Sequence, residues 1–190
     1  MNRIKPILAL CAAAALACVS MLAGCASDEP KPEDGVKADI AAQLDPVKNL
    51  DENAVNDLVE TIQAANDLET YGIVAQDYIR SMLAGFDYSV KDVAMSEDGT
   101  SATATVAITC KSFSDASLKA SEKALELAQS GAMAEMSMDE MNKSMGSVMM
   151  EAMDETATKT TDCTFDYALE EGAWKVVGGI DSGLYGAFFA

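Results

Sequence analysis

The chain contains no histidine among its 190 residues, and this absence excludes several kinds of chemistry. Without an imidazole there is no Ser-His-Asp or Cys-His nucleophile pair, no side chain that shuttles protons near neutral pH, and no His-ligated zinc or haem. Basic residues are scarce as well, since thirteen Lys and Arg stand against thirty-one Asp and Glu, a formal net charge of −18. Phosphate contacts need clustered Lys and Arg, so nucleic acid is not an expected partner.

Charged residues are also missing from a long segment near the N-terminus. Arg3 and Lys5 precede an uncharged apolar run, residues 7–23, which is at the short limit for a membrane-spanning helix. The run ends in Leu-Ala-Gly-Cys at 22–25, which resembles the signal of a bacterial lipoprotein. In such signals the cysteine thiol is diacylated and the chain is cut between Gly24 and Cys25. We therefore expect residues 1–24 to be a signal peptide and Cys25 to carry the lipid, with an uncleaved anchor helix as the alternative.

A lipid on Cys25 would hold the mature chain on the outer face of the cell membrane. Cleavage removes two of the thirteen basic residues and no acidic one, so the net charge becomes −20. We interpret this negative charge as favouring solubility and repelling other anionic envelope components. Residues 25–35 have almost nothing to bury, which is typical of a flexible spacer, and residues 36–190 are then a single domain.

Hydrophobic periodicity predicts helices in the N-terminal part of that domain. Residues 52–65 and 73–84 carry apolar side chains at helical spacing. Residues 36–44 fit a strand and a helix equally well, because alanines occupy the positions that would distinguish them.

The pattern then changes to the two-residue period of strands. Alternation predicts strands over 86–90, 102–111, 161–169 and 173–177. Helices over 115–130 and 138–154 form an insert between the second and third strands, and Ser137 and Glu140 make a capping box at the start of the later helix. A short apolar C-terminal helix is expected to pack back on the sheet. The predicted class is α+β, with a curved, cone-like antiparallel sheet of about four strands.

Three segments provide the basis for a resemblance to known proteins: Phe-Asp-Tyr-Ser-Val at 86–90, Asp-Gly-Thr-Ser-Ala-Thr-Ala-Thr-Val at 98–106 and Gly-Ala-Trp-Lys-Val-Val at 172–177. With the acylation signal and acidic spacer, the layout resembles small extracytoplasmic lipoproteins of Gram-positive bacteria. Their domains of unknown function are similar to the nuclear-transport-factor-2-like and cystatin-like cone. The resemblance covers roughly residues 36–190 and implies a fold, but no catalytic residue carries over from it.

A curved sheet flanked by helices is expected to form a concavity lined by aromatic side chains. The candidate lining residues are Tyr78, Phe86, Tyr88, Phe165, Tyr167 and Trp174. Such a lining suits apolar or aromatic ligands, and the negative charge favours neutral or cationic ones over anionic ones. Any core of this fold needs the same residues, so a filled interior is the alternative.

Two cysteines lie within the predicted domain, on strands that we expect to pair. Antiparallel alignment of Ile108 with Phe165 would place Cys110 opposite Cys163 and allow a disulfide. The bridge would close a loop of about fifty residues, worth on the order of 4 kcal/mol in the chain-entropy model. The alternative is two buried free thiols.

Methionine is concentrated in the second insert helix. The positions step by three and then four residues along one helical face, and they are Met138, Met141, Met145, Met149 and Met153. Core packing is the favoured interpretation, because the unbranched side chain fills gaps well. A flexible groove for an apolar partner and a Cu(I) site are the alternatives, but Cu(I) sites usually add a His or thiolate.

Two classes of function remain after these exclusions. The first is a non-catalytic domain that binds a small molecule or an envelope protein, without metal or cofactor. The second is a cone-type isomerase or hydratase that uses a lone buried carboxylate as general base. Asp162 and Asp166 are the strand-borne candidates, but their alternation with apolar residues points them away from the interior.

Overall fold

A computed structural model describes residues 31–61 and 65–190, and it confirms the α+β prediction. The helices are α1 Pro32–Lys48, α2 Glu52–Thr61, α3 Ala65–Leu68, α4 Ala75–Leu83, α5 Phe113–Gln129, α6 Met138–Asp154 and α7 Ile180–Phe188, with short 3₁₀ segments at Glu69–Tyr71 and Ala132–Glu135. The strands are β1 Asp87–Met95, β2 Ser101–Lys111, β3 Thr158–Glu170 and β4 Ala173–Gly178.

The four strands form one open antiparallel sheet in the order β1-β2-β3-β4. Helices α5 and α6 stand between β2 and β3 in the chain, and α7 follows β4, both as predicted. Strand β1 is interrupted by an irregularity between Val90 and Asp92, which bends that edge of the sheet.

The segment whose periodicity is ambiguous in the sequence is helical. Val36, Ile40 and Leu44 form a fully buried stripe of α1, four residues apart, and the alanines between them face outward or are half-buried. The helix begins at Pro32, which corrects the expected spacer boundary at 35, because residues 32–35 form its first turn. Proline at the first helical position and acidic residues in the first turn both favour this start. Residues 25–30 of the spacer lie outside the described part of the chain.

The sheet has one apolar and one polar face. On the inner face, Val106, Ile108 and Phe165 are completely buried beneath helices α1, α4 and α7. On the outer face, the Thr103 hydroxyl donates to Asp166 Oδ1 at 3.1 Å and Lys91 pairs with Asp162 at 2.7 Å. Both aspartates are exposed, which confirms that they point away from the interior.

The two insert helices begin at well-formed caps. Ser137 accepts from the backbone N–H of Glu140, and the Glu140 carboxylate accepts from the Ser137 N–H at 2.8 Å, as the capping box predicts. Ser112 caps α5 by accepting from the Asp115 N–H at 3.1 Å, and its hydroxyl donates to the carbonyl oxygen of Ala190 at 2.5 Å. The start of the insert is thereby joined to the end of α7.

A buried lysine holds the end of the insert against the sheet. The Lys111 ammonium, on the last residue of β2, donates to the carbonyl oxygens of Met153 at 2.8 Å and Asp154 at 3.4 Å. These carbonyls lie at the C-terminus of α6, where a cation satisfies free acceptors and the helix dipole. Burial lowers the pKa of Lys111, and the Asp154 carboxylate opposes that shift.

We expect Lys111→Met to lower the free energy of unfolding by about 1–3 kcal/mol, because buried carbonyls at the end of α6 lose their donor. Lys175→Met is the control, since Lys175 is exposed and makes only a surface ion pair with Glu170 at 3.2 Å; we expect a change below about 1 kcal/mol. Urea unfolding at neutral pH measures both. Equal losses in the two variants would contradict the capping role of Lys111.

Candidate functional site

The six aromatic residues expected to line a pocket are in or against the core instead. Phe165 and Tyr167 are 0% and 1% exposed, Tyr78 and Phe86 are also buried, and Tyr88 and Trp174 are half-buried. The pocket prediction is therefore corrected to its alternative, a filled interior.

Helices close over the concave face through small residues. A Cβ on Gly183 of α7 would stand 3.0 Å from the Cβ of Cys163 and 3.2 Å from the Phe165 ring. At the other end of the sheet, a Cβ on Gly35 of α1 would stand 2.7 Å from Trp174 Cδ1. Because glycine lets both helix backbones approach the sheet this closely, α7 stands directly against the Phe165 ring and α1 directly against Trp174.

The hydroxyl oxygen of Tyr167 is an unpaired polar atom in this core, since it is buried and has no hydrogen-bond partner among the described residues. Burial raises the pKa of Tyr167, and the nearby carboxylate of Asp39 raises it further. The Asp39 carboxylate acts on the hydroxyl without meeting hydrogen-bond geometry, and it accepts a hydrogen bond from Gln43 Nε2 at 2.5 Å.

Tyr88 is the contrasting case, since its hydroxyl is paired. It donates to Asp45 Oδ1 at 2.7 Å, and burial together with this carboxylate raises the pKa of Tyr88 to about 12. Lys48 lies 5.6 Å from the centre of the same ring and pairs with Asp87 at 2.6 Å. These contacts fasten the end of α1 to β1 and are structural in character.

The predicted disulfide is wrong, because the register of β2 against β3 differs from the expected one. Cys163 lies opposite Val106, and Cys110 lies opposite Lys159. The cysteines are offset by four residues, about 13 Å along the strands, whereas a bridge needs Cα atoms within about 7 Å. Both thiols are free and buried.

The environment of the thiols makes them unreactive. Burial, with a smaller contribution from Cys163, raises the pKa of Cys110 to about 11. Burial also raises the pKa of Cys163, whose Sγ donates to the Gly183 carbonyl oxygen at 3.2 Å. A thiolate is the reactive form of cysteine, so both residues are core side chains rather than nucleophiles.

A surface cleft of about 590 Å³ lies between α6 and the 3₁₀ segment at 69–71. Its lining residues are Tyr71, Gly72, Ile73, Lys143, Gly146, Ser147, Met150, Glu151, Asp154 and Glu155. Two of its acidic residues already have a partner, because Lys123 Nζ lies 3.1 Å from both Glu151 and Glu155. Asp154 accepts a hydrogen bond from Ser81. Three acidic side chains of the cleft therefore already have partners within the protein, which leaves them less available to bind a ligand.

A second cleft, of about 370 Å³, lies where β4 leads into α7 and is lined by Gln43 and residues 176–182. None of the six predicted aromatic residues lines either cleft. Within residues 31–61 and 65–190, no group of three or more Cys, Asp or Glu side chains is placed to hold a metal ion.

The methionine stripe of α6 becomes more exposed toward the start of the helix. Met153 is completely buried and Met149 packs against the core, which confirms the core interpretation for this end. Met141 and Met145 are half-buried, and Met138 is exposed. The groove and Cu(I) alternatives concern this more exposed half and stay untested.

An exposed apolar face on α5 was missed in the sequence. Leu118 is 65% and Leu125 59% exposed, although both belong to a helix whose opposite side packs against α6. Leucines seven residues apart stand on one helical face, and this spacing is the signal that could have identified the surface.

Gly24 and Cys25, the predicted cleavage and lipidation residues, lie outside the described residues. Of the helices in the described ranges, none has the length and apolar character needed to cross a membrane.

We expect opposite results from removing the two tyrosine hydroxyls. Tyr167→Phe should leave the free energy of unfolding unchanged or raise it by up to about 1 kcal/mol, because an unpaired buried hydroxyl is removed. Tyr88→Phe should lower it by about 0.5–1.5 kcal/mol, because the hydrogen bond to Asp45 is lost. Chemical denaturation compares them. A larger loss for Tyr167→Phe than for Tyr88→Phe would show that the buried hydroxyl does have a partner.

Comparison with known proteins identifies no relative: no family model matches the chain, and no curated protein or solved structure matches it significantly.

Proposed function

We propose that this protein is a non-catalytic, lipid-anchored domain displayed on the outer face of the cell membrane, where its surface binds another envelope component. The observation that carries the binding part is the filled concave face, with Phe165 and Tyr167 completely buried beneath the helices. A cone that encloses a substrate or a small ligand needs open space in front of these rings. The surface therefore offers more to a partner than the interior does.

The positions of the acidic side chains support the same choice over the enzyme alternative. Asp162 and Asp166 lie on the outer face of the sheet, in contact with Lys91 and Thr103. A general base tuned by desolvation must lie in a dry pocket. Asp39, the carboxylate close to the buried Tyr167, is half-buried and bonded to Gln43.

The anchor is proposed from the order of features in the sequence: Arg3 and Lys5, the uncharged run 7–23, and Leu-Ala-Gly-Cys at 22–25. Two acyl chains on one cysteine hold a protein at a membrane without help from basic residues, of which this chain has few. Helix α1 begins at Pro32, seven residues after Cys25. Even a fully extended link would be about 25 Å long, so the anchor would keep the domain close to the membrane.

We expect Cys25→Ala to abolish lipidation and to leave residues 1–24 uncleaved, because processing at such signals requires the acylated thiol. Metabolic labelling with a fatty-acid precursor, followed by mass determination of the protein, measures both effects. Cys18→Ala is the matched control, since it changes a cysteine within the apolar run and should be labelled and cleaved as before. An unlabelled native protein that keeps residues 1–24 would contradict the anchor.

A further inference from the structure

The α5 face that carries Leu118 and Leu125 is free of charge along its whole length. Its other members are small, and they are Ser114, Ser117, Ser121 and Ala128. We call these six residues the α5 stripe. In a chain with a net charge of −18, an uncharged helical face with two exposed leucines is a local exception.

The stripe continues onto an aromatic pair at the end of α7. Tyr185 is 62% and Phe189 44% exposed, and their rings stack with centroids 4.4 Å apart. The Ser114 hydroxyl donates to the carbonyl oxygen of Phe189 at 3.0 Å, and the Phe113 ring lies 5.3 Å from the Phe189 ring. The stripe and the aromatic pair therefore form one surface rather than two isolated patches.

The charges beside the stripe indicate what kind of partner fits. Glu122 and Glu126 lie along its border, and neither is part of an ion pair within the described residues. The neighbouring lysines are engaged elsewhere, because Lys119 donates to the Glu155 carbonyl oxygen at 2.9 Å and Lys123 pairs with Glu151 and Glu155. The border is thus acidic, and a partner that complements it carries Lys or Arg beside an apolar row.

The same charges disfavour a second copy of this chain. An antiparallel approach of two α5 helices would bring Glu122 of each copy close to the two-fold axis. It would also bring together two chains of net charge −18.

The position of the surface disfavours the membrane as its partner. The start of α1, which follows the expected anchor, lies against Trp174 at one end of the sheet. The end of α7 lies at the other end, where Ser112 donates to Ala190 just after β2. Strand β2 has eleven residues and spans about 35 Å between these ends. The surface therefore lies at the end of the sheet opposite the one that follows the anchor.

We propose that the α5 stripe and the aromatic pair bind an amphipathic helix of another protein, whose apolar row is flanked by Lys or Arg. This inference rests on the proposed surface-binding function and names its surface and the chemistry of its partner. Leu118 and Leu125 enter the apolar row, while Glu122 and Glu126 meet the basic flank.

Two synthetic helical peptides test the proposal with the full-length protein in detergent micelles. Both present the same heptad row of leucines, and they differ only in flanking Lys or flanking Glu. We expect the Lys-flanked peptide to bind at least about tenfold more tightly than the Glu-flanked one, measured by fluorescence anisotropy.

The double variant Leu118→Ser/Leu125→Ser should weaken binding of the Lys-flanked peptide by at least about tenfold. Val177→Ser is the matched control, because Val177 is 60% exposed but lies on β4, away from the stripe; its binding should stay within about twofold of the parent. All replaced residues are exposed, and circular dichroism checks that each variant keeps its fold.

Several results would overturn the proposal. Equal binding by the double variant would mean that the peptide is attracted only by overall charge, and no binding by either peptide would show that the surface is not a binding site.

Two further measurements test other occupants of the surface. Self-association in sedimentation equilibrium that the double variant abolishes would identify a second copy as the occupant. Binding to phosphatidylcholine vesicles that depends on Leu118 and Leu125 would identify a lipid surface. The two peptide-binding readouts do not depend on lipidation of Cys25, so the anchor can fail separately.

Discussion

The structure depends on covering the apolar face of an open four-stranded sheet. The inner rows of β2 and β3 alternate with polar residues, so this face must be buried while the other stays in water. Helices α1, α4 and α7 cover it, and glycines let α1 and α7 approach it closely. A Cβ on Gly179, for example, would stand 2.1 Å from the Thr164 carbonyl oxygen, which leaves no place for a side chain. Its φ of 85° also favours glycine. The turn into α7 therefore requires glycine for two reasons, the lack of space and the backbone conformation.

Filling this face determines where function can lie. The rings that would have lined a ligand pocket stabilise the fold, and the free thiols of Cys110 and Cys163 lie in the same core. The insert of α5 and α6 is held at both ends: Ser112 at its start bonds to Ala190 just after α7, and Lys111 of β2 bonds to Met153 at its end. Between these ties, α5 exposes leucines that no described element covers. The protein is therefore organised as a packed body that presents a helical surface.

The sequence was most informative where structure is local. Alternation in β2 and the capping box of Ser137 and Glu140 depend on neighbouring residues, and both were predicted. Helix α1 was undecided, because alanine fits either period, and only packing of Val36, Ile40 and Leu44 against the sheet distinguishes them.

Long-range features could not be predicted in the same way. The register of β2 against β3 is not set by a hairpin turn, since the whole insert separates the strands, and an error of four residues removed the disulfide. Whether the concavity is filled depends on contacts between the two ends of the chain, such as Gly35 with Trp174. The α5 stripe was missed because core and exposed leucines look alike in sequence. Only the position of α6 shows which side of α5 is free.

The central claim is that the concave face of the sheet is filled, and xenon binding tests it most directly. Xenon enters apolar cavities, so NMR spectra of the labelled protein under increasing xenon pressure would detect space near the inner-face rings. The account predicts only small, linear shifts for Phe165, Tyr167 and Trp174. Saturable shifts at these residues would reveal an open apolar cavity and contradict the claim.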